Sequence, residues 1–487
     1  MLDATLSRRG LVTAALAAGA AALLAACGAA PTPAPSKPAE GAPAAKPAEA
    51  TKPAGAEKPA AGAATKPAAE PTAPAKPAAA APSKGGGKPI SFLCRNDIVT
   101  AYGAEAIVDE WNKNRDAKVT LEKPPQGADL AAKAQAAIAA DDMVWDGFSV
   151  IVAPWDIAAW AKREIIVPID DLVKGSSVPD ADKVFAGMIG TIRESVKDNG
   201  KTYLIPGNVG SSALQWFWDP LKEVGANKQP ETWDETRELA AKVKAKFPDK
   251  TPFASIGTPL FDLFSLMYGA LKPDELFTKE GVFNLEHEGA VASLKWMKDM
   301  AKDGLMPTVA TDVNANWDKG TVVMMLAYDV KGQHAQKTYG YDKADTGINI
   351  FRKKGEIASG TPFWMNGSVV FNKAKNPQGI ADFFLWWFGP NNEMAQKTLV
   401  ATAAKPCYTY TYEKFVKDDP KFKWEQVGID LVAKSKPYPT HTYFGIEQEA
   451  VKPWVEKVMA ADSTLSPEDA LRSAAKDRAD KMSKQKI

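Results

Sequence analysis

From residue 90 onward the apolar positions switch between two periods. Ile90-Ser91-Phe92-Leu93-Cys94 is a short, almost continuous apolar run, the signature of a buried strand. Behind it, Ala104, Ile107, Val108 and Trp111 recur at the spacing that lines one face of a helix. The pattern then predicts a strand over 119–121, an alanine-rich helix over 129–140, a strand near 147–152 and a short helix over 156–162. Strands alternating with helices argue for an α/β fold: a mainly parallel sheet with helices on both faces. A second region opens at Tyr203-Leu204-Ile205-Pro206-Gly207. Thr232, with Glu235 three residues later, has the form of a capping box, and Leu239, Val243 and Phe247 continue the helix it starts. Further helices are predicted over 286–302, 377–388 and 467–482, the last with Ser466 as N-cap and Pro467 in its first position. Strands are predicted over 322–326, 348–351 and 368–371.

The first 88 residues have neither pattern. Ser7-Arg8-Arg9-Gly10-Leu11-Val12 places two arginines ahead of an apolar run over 11–26, which is shorter than the roughly 20 residues a spanning helix needs. It ends in Leu24-Ala25-Ala26-Cys27, so residues 1–27 read as a secretory signal. The paired arginines resemble a twin-arginine export signal, and Leu-Ala-Ala-Cys resembles a bacterial lipobox, whose cysteine receives the lipid. These resemblances imply lipidation at Cys27 and anchoring to the outer face of the cell membrane. Residues 28–88 are almost entirely Ala, Pro, Lys, Glu, Gly, Thr and Ser, without one large apolar side chain. Such a segment cannot offset the entropy of ordering itself, and is expected to be a disordered linker, a stalk beneath the body.

Composition narrows the chemistry. The 60 basic residues are balanced by 59 acidic ones, so nucleic acid is not an expected partner. A body of about 400 residues suits two lobes more than one core. Cys94 and Cys407 suit either two buried thiols or one disulfide. The 3 histidines, His287, His334 and His441, lack metal-ligand spacing, and no nucleophile elbow, P-loop or dinucleotide fingerprint occurs. No metal, cofactor or catalytic residue is therefore expected, and the chain is read as a binding protein and not an enzyme.

Five stretches, in order, resemble the maltose-binding-protein-like family of extracellular solute-binding proteins. They are Ala137 to Gly147, Ala161 to Asp170, Tyr203 to Asp219 followed by Pro230-Glu231-Thr232-Trp233-Asp234-Glu235, Trp317-Asp318-Lys319-Gly320-Thr321-Val322-Val323-Met324-Met325, and Ser466 to Met482. The fourth departs from the family pattern in carrying threonine where lysine is usual after the glycine. The resemblance implies a two-lobe, type II periplasmic-binding fold with a ligand cleft between the lobes. It implies 89–207 and 366–404 in the first lobe and 208–365 and 405–487 in the second, with crossings near 206–208, 361–363 and 404–406. It also implies a monomer that captures a small solute, most simply a sugar, and delivers it to the permease subunits of an ABC importer.

A sugar offers flat C–H faces and a rim of hydroxyls, so its site needs aromatic planes beside polar groups. Arg95, Asn96 and Asp97 follow the first strand, and Trp155 and Asp156 the third, at carboxyl ends where open α/β sheets place ligands. Asp97 and Asp156 suit an N-cap equally well. Asn208 lies at the first expected crossing, Trp364 just past the second, and Tyr408, Tyr410 and Tyr412 past the third. Tyr328 ends the Val-Val-Met-Met strand, where the family often places an aromatic residue. Trp216 and Trp218 alternate with Phe217, so that one can line the cleft while the other fills the core. Trp111, Trp233, Trp296, Trp386 and Trp387 are expected to be packing residues.

Overall fold

The structure, a computed structural model, describes residues 87–484 except 124–129, 154, 256–258, 308–312, 329, 356–357, 403–404, 420–428 and 439–443. The expected signal, Cys27 and almost all of the expected linker lie outside the described residues. The strands are β1 (Ile90–Cys94), β2 (Val119–Glu122), β3 (Gly147–Ala153), a small hairpin of β4 (Lys197–Asp198) and β5 (Lys201–Thr202), β6 (Ile205–Phe217), β7 (Thr251–Ser255), β8 (Val322–Tyr328), β9 (Ala344–Thr346) and β10 (Phe363–Val370). Eight of them form one sheet in the order β2-β1-β3-β10-β6-β8-β7, with β9 also on β6.

That sheet serves two lobes because β6 changes partner along its 13 residues. Its first half pairs antiparallel with β10, from Ile205 opposite Ser368 to Ser211 opposite Phe363. Its second half pairs antiparallel with β8, from Ser212 opposite Tyr328 to Trp216 opposite Met324. Strand directions then fix where the lobes face each other. β1, β2 and β3 are mutually parallel, and β10 is antiparallel to both β3 and β6, so β6 runs the same way as β1 and β3. β8 opposes β6 and β7 follows β8, so the second lobe's parallel strands point back towards the first. The carboxyl ends of β1 and β3 and those of β7 and β8 therefore converge on the stretch where β6 exchanges partners.

Each lobe has its own core. The first packs Phe92, Trp111 and Phe148 against Phe383, Phe384 and Trp387 of the helix Pro377–Phe388. This helix is apolar nearly all round, as a helix enclosed by a lobe should be. The second gathers Trp233, Phe264, Trp296, Met324 and Tyr438, closed by the helices Phe444–Met459 and Pro467–Lys484. Three buried carboxylates are locked by donors. Asp146 accepts from the backbone N–H of Ser91 and of Asn376, both at 2.8 Å. Asp382 accepts from Ser176, Ser177 and Gln378. Glu447 receives the Phe283 N–H at 2.8 Å and the Arg478 guanidinium, joining the last two helices to the turn at Phe283.

Several boundaries differ from expectation. Cys407, Tyr408, Tyr412, Val416, Ile429 and Val432 belong to the first core, although 405–487 was expected in the second lobe. The apolar side chains of this stretch fill space beside Met188 and Pro206. Lys405 and Pro406 run along β6, with the Val209 N–H on the Lys405 carbonyl at 2.9 Å, and do not cross. The chain returns to the second lobe between Val432 and Tyr438. Residues 348–351 are not a strand; Phe351 forms only an isolated bridge with Thr232. In the capping box, Glu235 N–H reaches Thr232 Oγ1 at 3.2 Å, but the Glu235 carboxylate turns to the Glu231 N–H. Cys94 and Cys407 are buried thiols that form no disulfide with each other.

The returning segment is tied to the second crossing. Ser435 Oγ accepts the Thr361 N–H at 3.0 Å, and the Thr361 hydroxyl donates to the Ser212 carbonyl. Gly360, at φ +83°, sits against this knot, and a Cβ there would strike Ser435 Oγ. Gly360→Ala is expected to cost about 1–3 kcal/mol from left-handed strain and the displaced serine, measured by urea unfolding.

Candidate functional site

The convergence of strand ends defines the cleft, and each end leads into a helix or an aromatic side chain. After β1 comes the helix Asn96–Ala101, with Arg95 as its N-cap residue; Arg95 and Asn96 are both half-buried. The Arg95 N–H bonds the Ser149 carbonyl at 2.8 Å, and its own carbonyl accepts from Ile98 and Val99. After β3 comes the helix Trp155–Lys162. Asp97 and Asp156 occupy the second positions of these helices, inside them and not ahead of them as N-caps would be. The side chains of Asp97, Trp155 and Asp156 lie outside the described residues.

The floor is polar. Asn208 of β6 faces Asn366 of β10 in register, and its Oδ1 accepts from Asn366 Nδ2 at 3.1 Å and from the Tyr102 hydroxyl. Three residues further along β6, the buried Lys405 ammonium donates to Ser211 Oγ at 2.9 Å. Two crossing strands thus carry amide and hydroxyl groups through the junction of two apolar cores.

The second lobe contributes an aromatic corner. Trp364 of β10 stands opposite Gly210 of β6, and a Cβ on that glycine would lie 2.5 Å from the indole. The missing side chain lets the indole lie flat over the backbone. Tyr328, at the end of β8, meets the indole edge-on, with ring centroids 5.1 Å apart and planes at 75°. Tyr438 lies behind Trp364 at 6.0 Å, and Phe261 meets Tyr438 at 6.4 Å. Tyr328 is 38% exposed, the open face of an otherwise packed group. Its backbone is held from below by Gln215, whose amide donates to the Tyr328 carbonyl at 2.6 Å.

Beside these rings lies a carboxyl group. The helix Pro259–Tyr268 follows β7 and is buried along nearly its whole length, yet it carries Asp262. Among the described residues Asp262 accepts one hydrogen bond, from the hydroxyl of Ser255 at the end of β7. Burial pushes its carboxyl well above the usual range, since the charged form would be cut off from water. Burial also raises the Tyr328 and Tyr438 phenols, and the nearby Asp262 adds to both shifts.

Not every residue picked from the sequence reaches this cleft. Trp216 is buried in the second core opposite Met324, at the far end of the β6–β8 pairing from Tyr328. Trp218 is not on the strand but opens the helix Trp218–Glu223, edge-on to Trp216, with its indole N–H on Asp345 at 3.3 Å. Tyr408 is buried in the first core with its hydroxyl on the Pro206 carbonyl. Tyr410 stacks on it at 5.0 Å, and its hydroxyl donates to the Phe388 carbonyl at 2.6 Å. Both phenols are thus spent on backbone groups, and their alternation is that of a strand-to-helix entry, the helix being Thr409–Phe415. The structure brings together Asn208, Trp364 and Tyr328, and adds Asp262, Ser255, Phe261, Tyr438 and Asn366. Asp262 left one trace in the sequence: it is the single charge in Pro-Leu-Phe-Asp-Leu-Phe-Ser-Leu-Met-Tyr.

Comparison with known proteins fits this architecture. Residues 106–423 match the family described as bacterial extracellular solute-binding protein. The chain belongs to that family. A binding protein of Brucella abortus is 27% identical over 195 residues, covering 37% of this chain; the match spans less than half of that relative, 45% of its length. Two solved structures share the fold. The GacH receptor of Streptomyces glaucescens, solved unliganded and with acarbose, superposes with a TM-score of 0.65 at 17% identity, over 82% of this chain and 99% of the receptor. An ABC substrate-binding protein of Listeria monocytogenes, in complex with cycloalternan, gives 0.67 at 15% identity, over 82% of this chain and 100% of that one. At such identities the likeness is one of fold. Within that fold this solute-binding protein places its aromatic corner and polar floor between the two lobes.

Proposed function

We propose that this solute-binding protein captures a neutral saccharide, most simply an oligosaccharide, in the interlobe cleft and hands it to the permease of an ABC importer. The observation that carries the reading is the corner of Tyr328 and Trp364 at the convergence of strand ends, beside the Asn208–Asn366 floor. Aromatic planes match the C–H faces of a sugar, and the floor's amides match its hydroxyl rim. The two structural relatives were solved with acarbose and with cycloalternan. Closure of the lobes would be driven by contacts that only the closed form makes. In this reading the protein acts as a monomer held at the outer face of the cell membrane through lipid on Cys27.

The test is a thermal-shift panel of mono- and oligosaccharides, polyamines and polyol phosphates with the full chain. A saccharide at 100 times its Kd should add about 2.7 kcal/mol to stability. Stabilisation by a polyamine or a phosphate in place of any saccharide would refute the sugar assignment. For the anchor, intact-mass analysis of the membrane-extracted protein should find diacylglycerol on Cys27, and Cys27→Ser should release the protein from membranes. A single acyl chain holds only weakly, so loss of a multiply acylated residue should be decisive.

A further inference from the structure

Among the described residues four carboxylates are buried in the two lobes, and three of them are explained by the fold. Asp146 caps two backbone N–H groups, Asp382 collects three side-chain donors, and Glu447 is paired with Arg478. Asp262 differs. Among the described residues it accepts only from the Ser255 hydroxyl, and it is 6% exposed. A buried carboxyl with a single hydrogen-bond partner leaves polar capacity unsatisfied, which costs stability. Its position gives it another use. Ser255 ends β7 as Tyr328 ends β8, and the two strands pair in parallel, Ser255 opposite Leu326. The carboxyl thus lies at the same edge of the sheet as the Tyr328–Trp364 corner.

We propose that Asp262, with Ser255, is a specificity-determining pair of the cleft, exchanging hydrogen bonds with one hydroxyl of a neutral ligand. The inference rests on the saccharide reading and deepens it. Ser255 donates to the carboxyl, which leaves the carboxyl's own O–H and remaining lone pairs for a ligand hydroxyl that both accepts and donates. The protonated form suits this role, and burial favours it in the empty protein. The titratable groups that act with Asp262 are the Tyr328 phenol from β8 and the Tyr438 phenol ahead of the helix Phe444–Met459; neither is a cation that would hold the carboxylate ionised. Tyr268, on Asp262's own helix, donates to the Pro437 carbonyl at 2.6 Å and lies near Glu447, whose charge Arg478 answers. Lobe closure removes more water from the carboxyl and favours its protonated form further. By linkage, saccharide affinity should fall as pH rises through the pKa of Asp262. A site with a neutral acid selects an uncharged hydroxyl over an ammonium ion, which would need the carboxylate.

The experiment compares wild type, Asp262→Asn, Asp262→Leu and Tyr328→Ala by thermal shift and calorimetry, with maltotriose, cyclic and linear isomalto-oligosaccharides and spermidine as probes, between pH 5 and 9. For the saccharide that binds wild type best, Asp262→Asn should bind within about threefold and lose the pH dependence. Asp262→Leu, which keeps the helix apolar and folded, should bind roughly 10- to 100-fold more weakly, the range expected for one unmade hydrogen bond to a buried partner. Saccharide binding unchanged in Asp262→Leu but lost in Tyr328→Ala would overturn this inference and leave the saccharide reading standing. Spermidine binding that Asp262→Asn abolishes would overturn it too, by showing the carboxylate to be the recognised form. If no saccharide shifts wild type, the saccharide reading fails and this inference falls with it.

Discussion

Trp364→Ala is expected to weaken saccharide binding by about 2–4 kcal/mol, roughly 30- to 1,000-fold, while the circular-dichroism spectrum stays that of wild type. Among the described cleft residues the indole is the largest plane, and it is fixed on three sides. Gly210 lies beneath it, Tyr328 crosses its edge and Tyr438 backs it. A ring held in one orientation loses little entropy when a sugar stacks on it, which is why its removal should cost more than its area suggests. Gly210→Ala supplies a second handle that leaves the indole present. A Cβ 2.5 Å from the ring must push it off the strand, so affinity should fall although no ligand-facing atom is removed. Calorimetry with the saccharide from the thermal-shift panel measures both. Full affinity in both variants would move the site away from this corner.

The largest stability effect is expected in the second lobe, from Arg478→Met. Arg478 and Glu447 are buried, and the guanidinium also donates to the Phe283 carbonyl at 2.7 Å. Removing the cation leaves the buried Glu447 carboxylate without the charge that answers it. Breaking a buried pair in this way costs about 3–5 kcal/mol, whereas replacing both partners by apolar residues of similar volume is often close to neutral. Glu447→Leu with Arg478→Met should therefore recover most of the loss. Urea unfolding of the two variants checks the contrast. A single variant within 1 kcal/mol of wild type would mean that solvent reaches the pair.

The sequence made the strand-and-helix alternation legible because its patterns are local. Helix 377–388 was readable, as was the last helix with Ser466 as its cap and Pro467 in its first position, and the structure has both. Tyr328 was readable as the end of an apolar strand. What stayed hidden depends on pairing between distant segments. β6 looks like a short apolar run broken by Pro206, Gly207 and Gly210, yet it is the 13-residue strand that joins the lobes. Its glycines make room for Tyr102 and Trp364, side chains far away in sequence. Tyr408 and Tyr410 alternated as cleft residues would, and their use by the Pro206 and Phe388 carbonyls could not be seen without the fold. Trp216 and Trp218 show the same limit: periodicity gives a face but not the end of the sheet on which it falls. Asp262 was visible as a lone charge in an apolar helix, but its neighbours Ser255, Tyr328 and Tyr438 come from three other segments.

The central claim is that a saccharide held between the strand ends draws the two lobes together, and small-angle X-ray scattering of the full chain tests it most directly. Titration with the saccharide of highest affinity should lower the radius of gyration, with a midpoint matching the calorimetric Kd. Tyr328→Ala should abolish the change at the same concentrations. A tight saccharide complex whose scattering curve stays superimposable on that of the free protein would contradict the account.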